Sequence, residues 1–179
     1  MNVPNLSSQW PGDEKSIELI TMLLQHTPAP FSRHQFTPGH ITATGLVLHP
    51  ESDAIAMVFH GRLERWLLPG GHCESTDNSV SAAAAREVYE ETGLKVEGGI
   101  AIGADVHGIP PKVKNGQIIE PYHQHHDLLF GFRATTTHLT VSEESHDIRW
   151  VPPAEFDAYA VPPNIRRAWH RWTQLAPES

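Results

Sequence analysis

Residues 86–94 read REVYEETGL and place three glutamates, Glu87, Glu90 and Glu91, within five residues. A helix advances about 100° per residue, so the three carboxylates share an arc of about 100° on one face. Like charges at i,i+3 and i,i+4 repel. The surrounding stretch NSVSAAAAREVYEET (78–92) has four consecutive alanines, no proline, and Gly93 directly after it. It predicts a helix with a left-handed glycine stop. Just upstream stands LPGG (68–71), a loop whose glycines let backbone approach a site closely. Such an acidic run is either a solvated helix face or, beside such a loop, a set of carboxylates with a hard cation among them. Mg²⁺ and Mn²⁺ suit this donor set, since both take oxygen ligands in octahedral geometry.

Working outward, residues 1–13 read as a loose tail and residues 14–179 as one domain. Ile17, Ile20, Leu23 and Leu24 form a helical stripe with Asp13 as its N-cap. HITATGLVLHP and AIAMVFH, joined by the turn PESD, predict a hairpin. RWLLPGG is a short strand running into the glycine loop. LKVEGGIAIGADVHGIP is a strand broken by glycines, and PKVKNGQIIEP a loop with an Asn-Gly turn. HQHHDLLFGFRA and HDIRWV read as strands; PPAEFDAYA and PPNIRRAWHRWTQL begin with prolines and read as helices. Arg166 and Arg167 fall on a solvated face of the last helix. Strands before and after one central helix give an α+β fold with a mixed sheet between helices.

The chain has 179 residues, enough for one domain with a sizeable core. Its net charge of −8 disfavours nucleic acid or an anionic membrane as a broad partner. A small anion remains compatible, because a metal ion inverts the local field. Cys73 is the lone cysteine, which excludes an internal disulfide and fits a cytoplasmic setting. Neither a signal-peptide pattern nor an apolar run of membrane-spanning length is expected.

The segment GGHCESTDNSVSAAAAREVYEETGL resembles the box of the Nudix hydrolases: Gly, five residues, Glu, seven residues, then Arg-Glu-aliphatic-x-Glu-Glu-x-Gly-aliphatic. Gly71, Arg86, Glu87, Val88, Glu90, Glu91, Gly93 and Leu94 match. Asp77 replaces the first glutamate, and eight residues rather than seven separate it from Arg86. The resemblance implies a Nudix fold, an α/β/α sandwich, and metal-dependent hydrolysis of a diphosphate bond. The substrate would be a nucleoside diphosphate linked to another moiety, or a similar small organic diphosphate. It implies Mg²⁺ or Mn²⁺ on Glu87, Glu90, Glu91 and the Gly70 carbonyl, a catalytic role for Glu90 and Glu91, and Arg86 as the buttress of that catalytic set. Homodimers are common in the family. Outside the box, residues 15 to 172 match one Nudix subgroup loosely.

Many Nudix enzymes draw a further glutamate from a loop outside the box. In SEESHDIRWV that residue is Glu144, with Glu143 beside it. The strand YHQHHDLLFGF puts His123, His125 and Asp127 on one face, and Gln124, His126, Leu128, Phe130 and Phe132 on the other. Solvent exposure alone would account for the polar set. DVHGIP offers Asp105 and His107 at the same spacing. If the two strands are neighbours, these groups converge beside the box. His125, His107 and Asp127 are then candidate substrate-binding residues, with a Zn²⁺-type site or a structural hydrogen-bond network as the alternatives. Two other functions compete with hydrolysis. A silent ligand-binding regulator would not need the glutamate set, and an isoprenyl-diphosphate isomerase would need a cysteine–glutamate pair that Cys73 supplies poorly.

Overall fold

The run GHITATGLVL forms the strand onto which the rest of the chain is laid. The computed structural model describes residues 1–6, 10–142 and 145–175. Its elements are α1 (Glu14–His26), β1 (Gly39–Leu48), β2 (Ile55–His60), β3 (Arg65–Leu67), β4 (Gly70–His72), α2 (Val80–Thr92), β5 (Ile100–Ile109), β6 (Lys112–Lys114), β7 (Gln117–Glu120), β8 (His123–Arg133), β9 (Ser145–Val151) and α3 (Pro163–Leu175). The main sheet runs β3-β2-β1-β8-β5, with β4 also on β1 and β9 on β2. β1 and β8 are parallel; the other pairs are antiparallel.

Side chains alternate across a strand, and here both faces are buried over the apolar half of the sheet. Ile41, Ala43 and Val47 of β1 join Leu128, Phe130 and Phe132 of β8 beneath α1 and α2. Leu46, Leu48 and Leu129 face the other way, beneath Ala168 and Trp172 of α3. The result is the α+β, α/β/α sandwich with a mixed sheet that the sequence predicts. Gly131 makes room for α3: a Cβ there would overlap the Trp172 ring, whose Nε1–H donates to the Phe132 carbonyl at 2.8 Å.

Four local expectations change. Residues 112–120, read as a loop, close into the β6–β7 ribbon, because Asn115 (φ 53°) and Gly116 (φ 75°) make the two-residue left-handed turn that fits hairpin twist. PPAEFDAYA yields only the short 3₁₀ turn Pro153–Glu155; Ala160 turns left-handed at φ 51° and prolines follow, leaving no length for a helix to propagate. The segment before α1, read as loose, packs Val3, Leu6 and the 6% exposed Trp10 against the core. Finally, Asp13 does not cap α1 through its side chain. Its buried carboxylate accepts from Arg167 Nη2 (2.8 Å), Arg171 Nη1 (2.7 Å) and the Ala104 N–H (3.3 Å). Arg167, its side chain 40% exposed, therefore ties the two ends of the domain together while still reaching solvent.

Removing one partner of a buried ion pair leaves the other charge uncompensated, at a cost of about 3–5 kcal/mol. For a chain of this size each kcal/mol moves the melting temperature by about 2–4 °C. Asp13→Asn is thus expected to lower the melting temperature by roughly 6–20 °C in thermal unfolding. A drop below about 2 °C would show that the triad contributes little.

Candidate active site

Helix α2 is fixed at both ends by the sequence around it. Ser79 Oγ accepts the Ala82 N–H at 3.1 Å, and Gly93, at φ 73°, returns its N–H to the Tyr89 carbonyl at 2.9 Å. Val80, Ala83, Ala84 and Val88 are buried toward β1. Gly45 admits this close approach, since a Cβ there would overlap Val88. The glutamates project beside β4. Glu91 Oε2 accepts the Gly70 N–H at 3.1 Å. The Glu87 carboxylate lies where a Gly71 Cβ would come within 2.7 Å of it. Glu90 is the most open of the group, its side chain 53% exposed against 14% for Glu87.

Arg86 organises these acids. Its Nη1 donates to Glu87 at 2.9 Å and Glu90 at 3.0 Å, and its Nη2 to the His72 carbonyl at 2.7 Å. Nε and Nη2 reach Asp77 at 3.2 Å each. The altered box is absorbed at this point. The Asp77 carboxylate also accepts the Glu74 N–H at 2.8 Å, and the Asp77 N–H returns to the Glu74 carbonyl at 3.1 Å. A tight turn fixes Asp77, and its side chain still meets the guanidinium of Arg86. Asp77 holds Arg86. Burial lowers the tendency of Arg86 to ionise, but the carboxylates of Asp77 and Glu87 outweigh it and keep the guanidinium charged.

Asp77, Glu87 and Glu90 thus face one guanidinium, with Glu91 held on the Gly70 N–H beside them. Burial pushes the Glu87 carboxyl above its usual range, and the charges of Glu90 and Asp77 add to that. A divalent cation would relieve both effects, and the hard oxygen donors fit Mg²⁺ or Mn²⁺. Glu143 and Glu144 lie outside the described residues.

A second polar cluster occupies the face of the sheet that α3 leaves uncovered. In register, His40 stands opposite His125 and Thr42 opposite Asp127, while across β5 Asp105 meets Asp127 and His107 meets His125. The two strands are therefore neighbours, the condition under which these groups converge. Solvent exposure, however, does not explain their polarity: His123 is 3% and Asp127 7% exposed. Thr42 Oγ1 donates to Asp127 at 2.9 Å. Burial raises the Asp127 carboxyl to about 6 against the hydrogen bonds from Thr44 and Thr42. His107 contacts Asp105 through Nδ1 at 2.8 Å, which raises its pKa despite burial.

Sequence reasoning overlooked His40 and His72. Their rings lie 5.0 Å apart, and both lie within 5.3 Å of the His125 ring. The alternation in GHITAT was the available signal, but only the parallel register brings His40 to β8. Burial takes His72 down to about 4. Beside this cluster lies a groove of about 270 Å³ lined by Arg33, His34, Phe36, His72, Ile119, Glu120 and His123. Cys73 is buried, which raises its thiol to about 12 and makes it a poor nucleophile.

The NUDIX domain model matches residues 39–172. Among solved structures, the MutT protein from Methanosarcina mazei Go1 aligns at 19% identity over 77% of this chain and 95% of that one, with a TM-score of 0.57. A NUDIX-family hydrolase from Clostridium perfringens aligns at 18% over 80% and 99%, TM-score 0.54. The NUDIX domain of Shewanella oneidensis NrtR, complexed with ADP ribose, aligns at 15% over 87% and 97%, TM-score 0.55. At these identities the likeness is one of fold. No curated protein matches the chain. Among the described residues no helix is long and apolar enough to cross a membrane.

The contact between Gly71 and Glu87 is open to direct test. Gly71→Ala is expected to displace the Glu87 carboxylate and weaken Mn²⁺ binding, measured by titration calorimetry, at least about 10-fold with the fold intact. Unchanged affinity would remove Glu87 from the candidate metal ligands.

Proposed function

Because the chain belongs to the NUDIX domain family, we propose that it is a divalent-metal-dependent hydrolase of a diphosphate bond, acting on a nucleoside diphosphate linked to another moiety or a similar small organic diphosphate. The observation that carries this reading is the set of three carboxylates, Asp77, Glu87 and Glu90, gathered around Arg86, with Glu91 on the Gly70 N–H, against a loop with no Cβ at Gly71. Glu87, Glu90, Glu91 and the Gly70 carbonyl would hold Mg²⁺ or Mn²⁺. When bound, such an ion neutralises phosphoanhydride oxygens and acidifies a water.

The chain's own residues supply position and charge. Arg86 is a positioning residue: it fixes the carboxylates of Glu87 and Glu90 before a ligand arrives. The Gly70 N–H does the same for Glu91. Preset ligands need little reorganisation when substrate binds. Glu144, which precedes β9 in the sequence, is the proposed base outside the box. His107, its side chain 42% exposed, is the imidazole a diphosphate can reach, with Asp105 orienting it. His125 lies one strand further in, between His107 and His40 in sheet order. Asp127 is buried beneath them and supports the surface through Thr42. The ADP ribose in the NrtR domain supports the choice of a nucleoside diphosphate as substrate class.

A panel of nucleoside diphosphate derivatives assayed with Mg²⁺ and Mn²⁺ tests the activity, and chelation should abolish it. Glu90→Gln and Glu91→Gln keep size and helix propensity but remove charge, so each should lower turnover roughly 10²-fold or more with folding retained. Wild-type rates in both would overturn the assignment. Glu144→Gln should lower kcat and leave KM nearly unchanged, with Glu143→Gln mild; the reverse ranking moves the role to Glu143. His107→Ala should raise KM about 10-fold, the scale of one lost hydrogen bond to a charged group. An unchanged KM would retire it from substrate contact.

A further inference from the structure

We propose that His40, His123 and His125 form a second metal site, distinct from the glutamates, that takes a transition metal of the Zn²⁺ class on three imidazole nitrogens. One ligand atom from each residue lies within 4.8 Å of the other two. In a tetrahedral Zn²⁺ site with bonds of about 2.0–2.1 Å, such nitrogens sit about 3.4 Å apart. The rings would need to close by little more than about 1 Å, within reach of small side-chain rotations.

Two features separate this cluster from an ordinary group of core histidines. First, the outer nitrogens are already committed. His40 Nδ1 contacts the Gln35 carbonyl at 3.1 Å, and His123 Nδ1 the Pro121 carbonyl at 2.9 Å. Since a carbonyl only accepts, each Nδ1 carries the proton and each Nε2 keeps its lone pair. This is the backbone clamp that orients metal-ligating histidines. Second, His40 Nε2 is buried and has no hydrogen-bond partner. A buried acceptor without a donor is costly, and most such atoms in native structures have an explanation.

The chemistry of the donors selects the metal. Neutral imidazoles suit Zn²⁺, Ni²⁺ and Cu²⁺ and suit Mg²⁺ poorly. Burial lowers the pKa of His40 and of His125, which favours the neutral ring that binds metal. Three protein ligands leave the fourth position to water or an incoming oxygen donor. The His123 ring borders the groove described above, which gives that position a route to solvent.

The test uses the full chain without a histidine tag, stripped with chelator and titrated with Zn²⁺ and Co²⁺. One equivalent should bind with the visible d–d bands of tetrahedral Co²⁺, and Zn²⁺ should raise the melting temperature further in the presence of saturating Mg²⁺. His40→Ala and His125→Ala should each weaken Zn²⁺ binding more than about 100-fold, beyond the loss typical of an outer-shell change. Glu90→Gln should keep the Co²⁺ spectrum, as should His138→Ala, which alters an exposed histidine. This outcome stands even if no diphosphate is hydrolysed. The proposal fails if wild-type protein shows no tetrahedral Co²⁺ bands, a result that needs no variant to fold. It fails equally if the bands survive in the His40 and His125 variants, or vanish in Glu90→Gln.

Discussion

The parallel pairing of β1 with β8 is the constraint on which the other features depend. Ten residue pairs run in unbroken register from Gly39–Gln124 to Leu48–Arg133. Because side chains alternate, that register sends Ala43 with Leu128 and Val47 with Phe132 to the face of α1 and α2. It sends His40 with His125 and Thr42 with Asp127 to the opposite face. A slip of one residue would turn every β8 side chain over, driving Asp127 under α2 and Phe130 into the polar cluster. A parallel pair also requires a long crossover. Here the crossover carries β4 and α2, and both fold back onto β1, so the strand that sets the core also seats the acidic helix.

Arg86 performs the corresponding task at the scale of the site. Three glutamates on one helical arc repel, and a single guanidinium cannot neutralise them together with Asp77. What it does is divide the carboxylates by role. Asp77 meets Nε and Nη2 and anchors the guanidinium through the Glu74 turn, while Glu87 and Glu90 meet only Nη1. Their remaining oxygen capacity stays available to a ligand. Aspartate at position 77 therefore still supplies this support, its carboxylate meeting Arg86 at 3.2 Å.

What could be read from the sequence was what is local. The alanine run, Ser79, Gly93 and the glutamate spacing specify α2 within a few turns of chain, and the alternation in β1 and β8 specifies both strands. The Asp13 link to Arg167 and Arg171 spans more than 150 residues, and no periodicity announces it. A side chain at a helix start suggests a cap on local grounds, and tertiary pairing overrode that. The histidine cluster failed to appear for the same reason. His123 and His125 share a strand and were visible together, but His40 joins them only through a parallel register that sequence pattern does not fix. Exposure was the wrong account of their polarity, because the ribbon β6–β7 and the segment around Phe36 lie beside them: Phe36 contacts the His123 ring at 5.2 Å.

β4 then explains how two polar sites of different chemistry sit so near one another without mixing. It is three residues long, and its alternation points neighbours to opposite sides. Gly71 backs the Glu87 carboxylate, whereas the His72 ring turns to His40 and His125. The His72 carbonyl accepts from Arg86, so one residue touches the imidazole cluster through its ring and the acidic site through its backbone. A Cβ at Gly70 would fall 2.6 Å from Thr44 Oγ1, and one at Gly71 would strike Glu87. Only glycine at both positions lets the strand lie between β1 and α2. The thin backbone layer that results separates oxygen donors suited to hard cations from nitrogen donors suited to borderline ones. Any shift of β4 along β1 would disturb both, which is why the pairing of Thr42, Ala43 and Thr44 with His72, Gly71 and Gly70 matters as much to the chemistry as the charged side chains do.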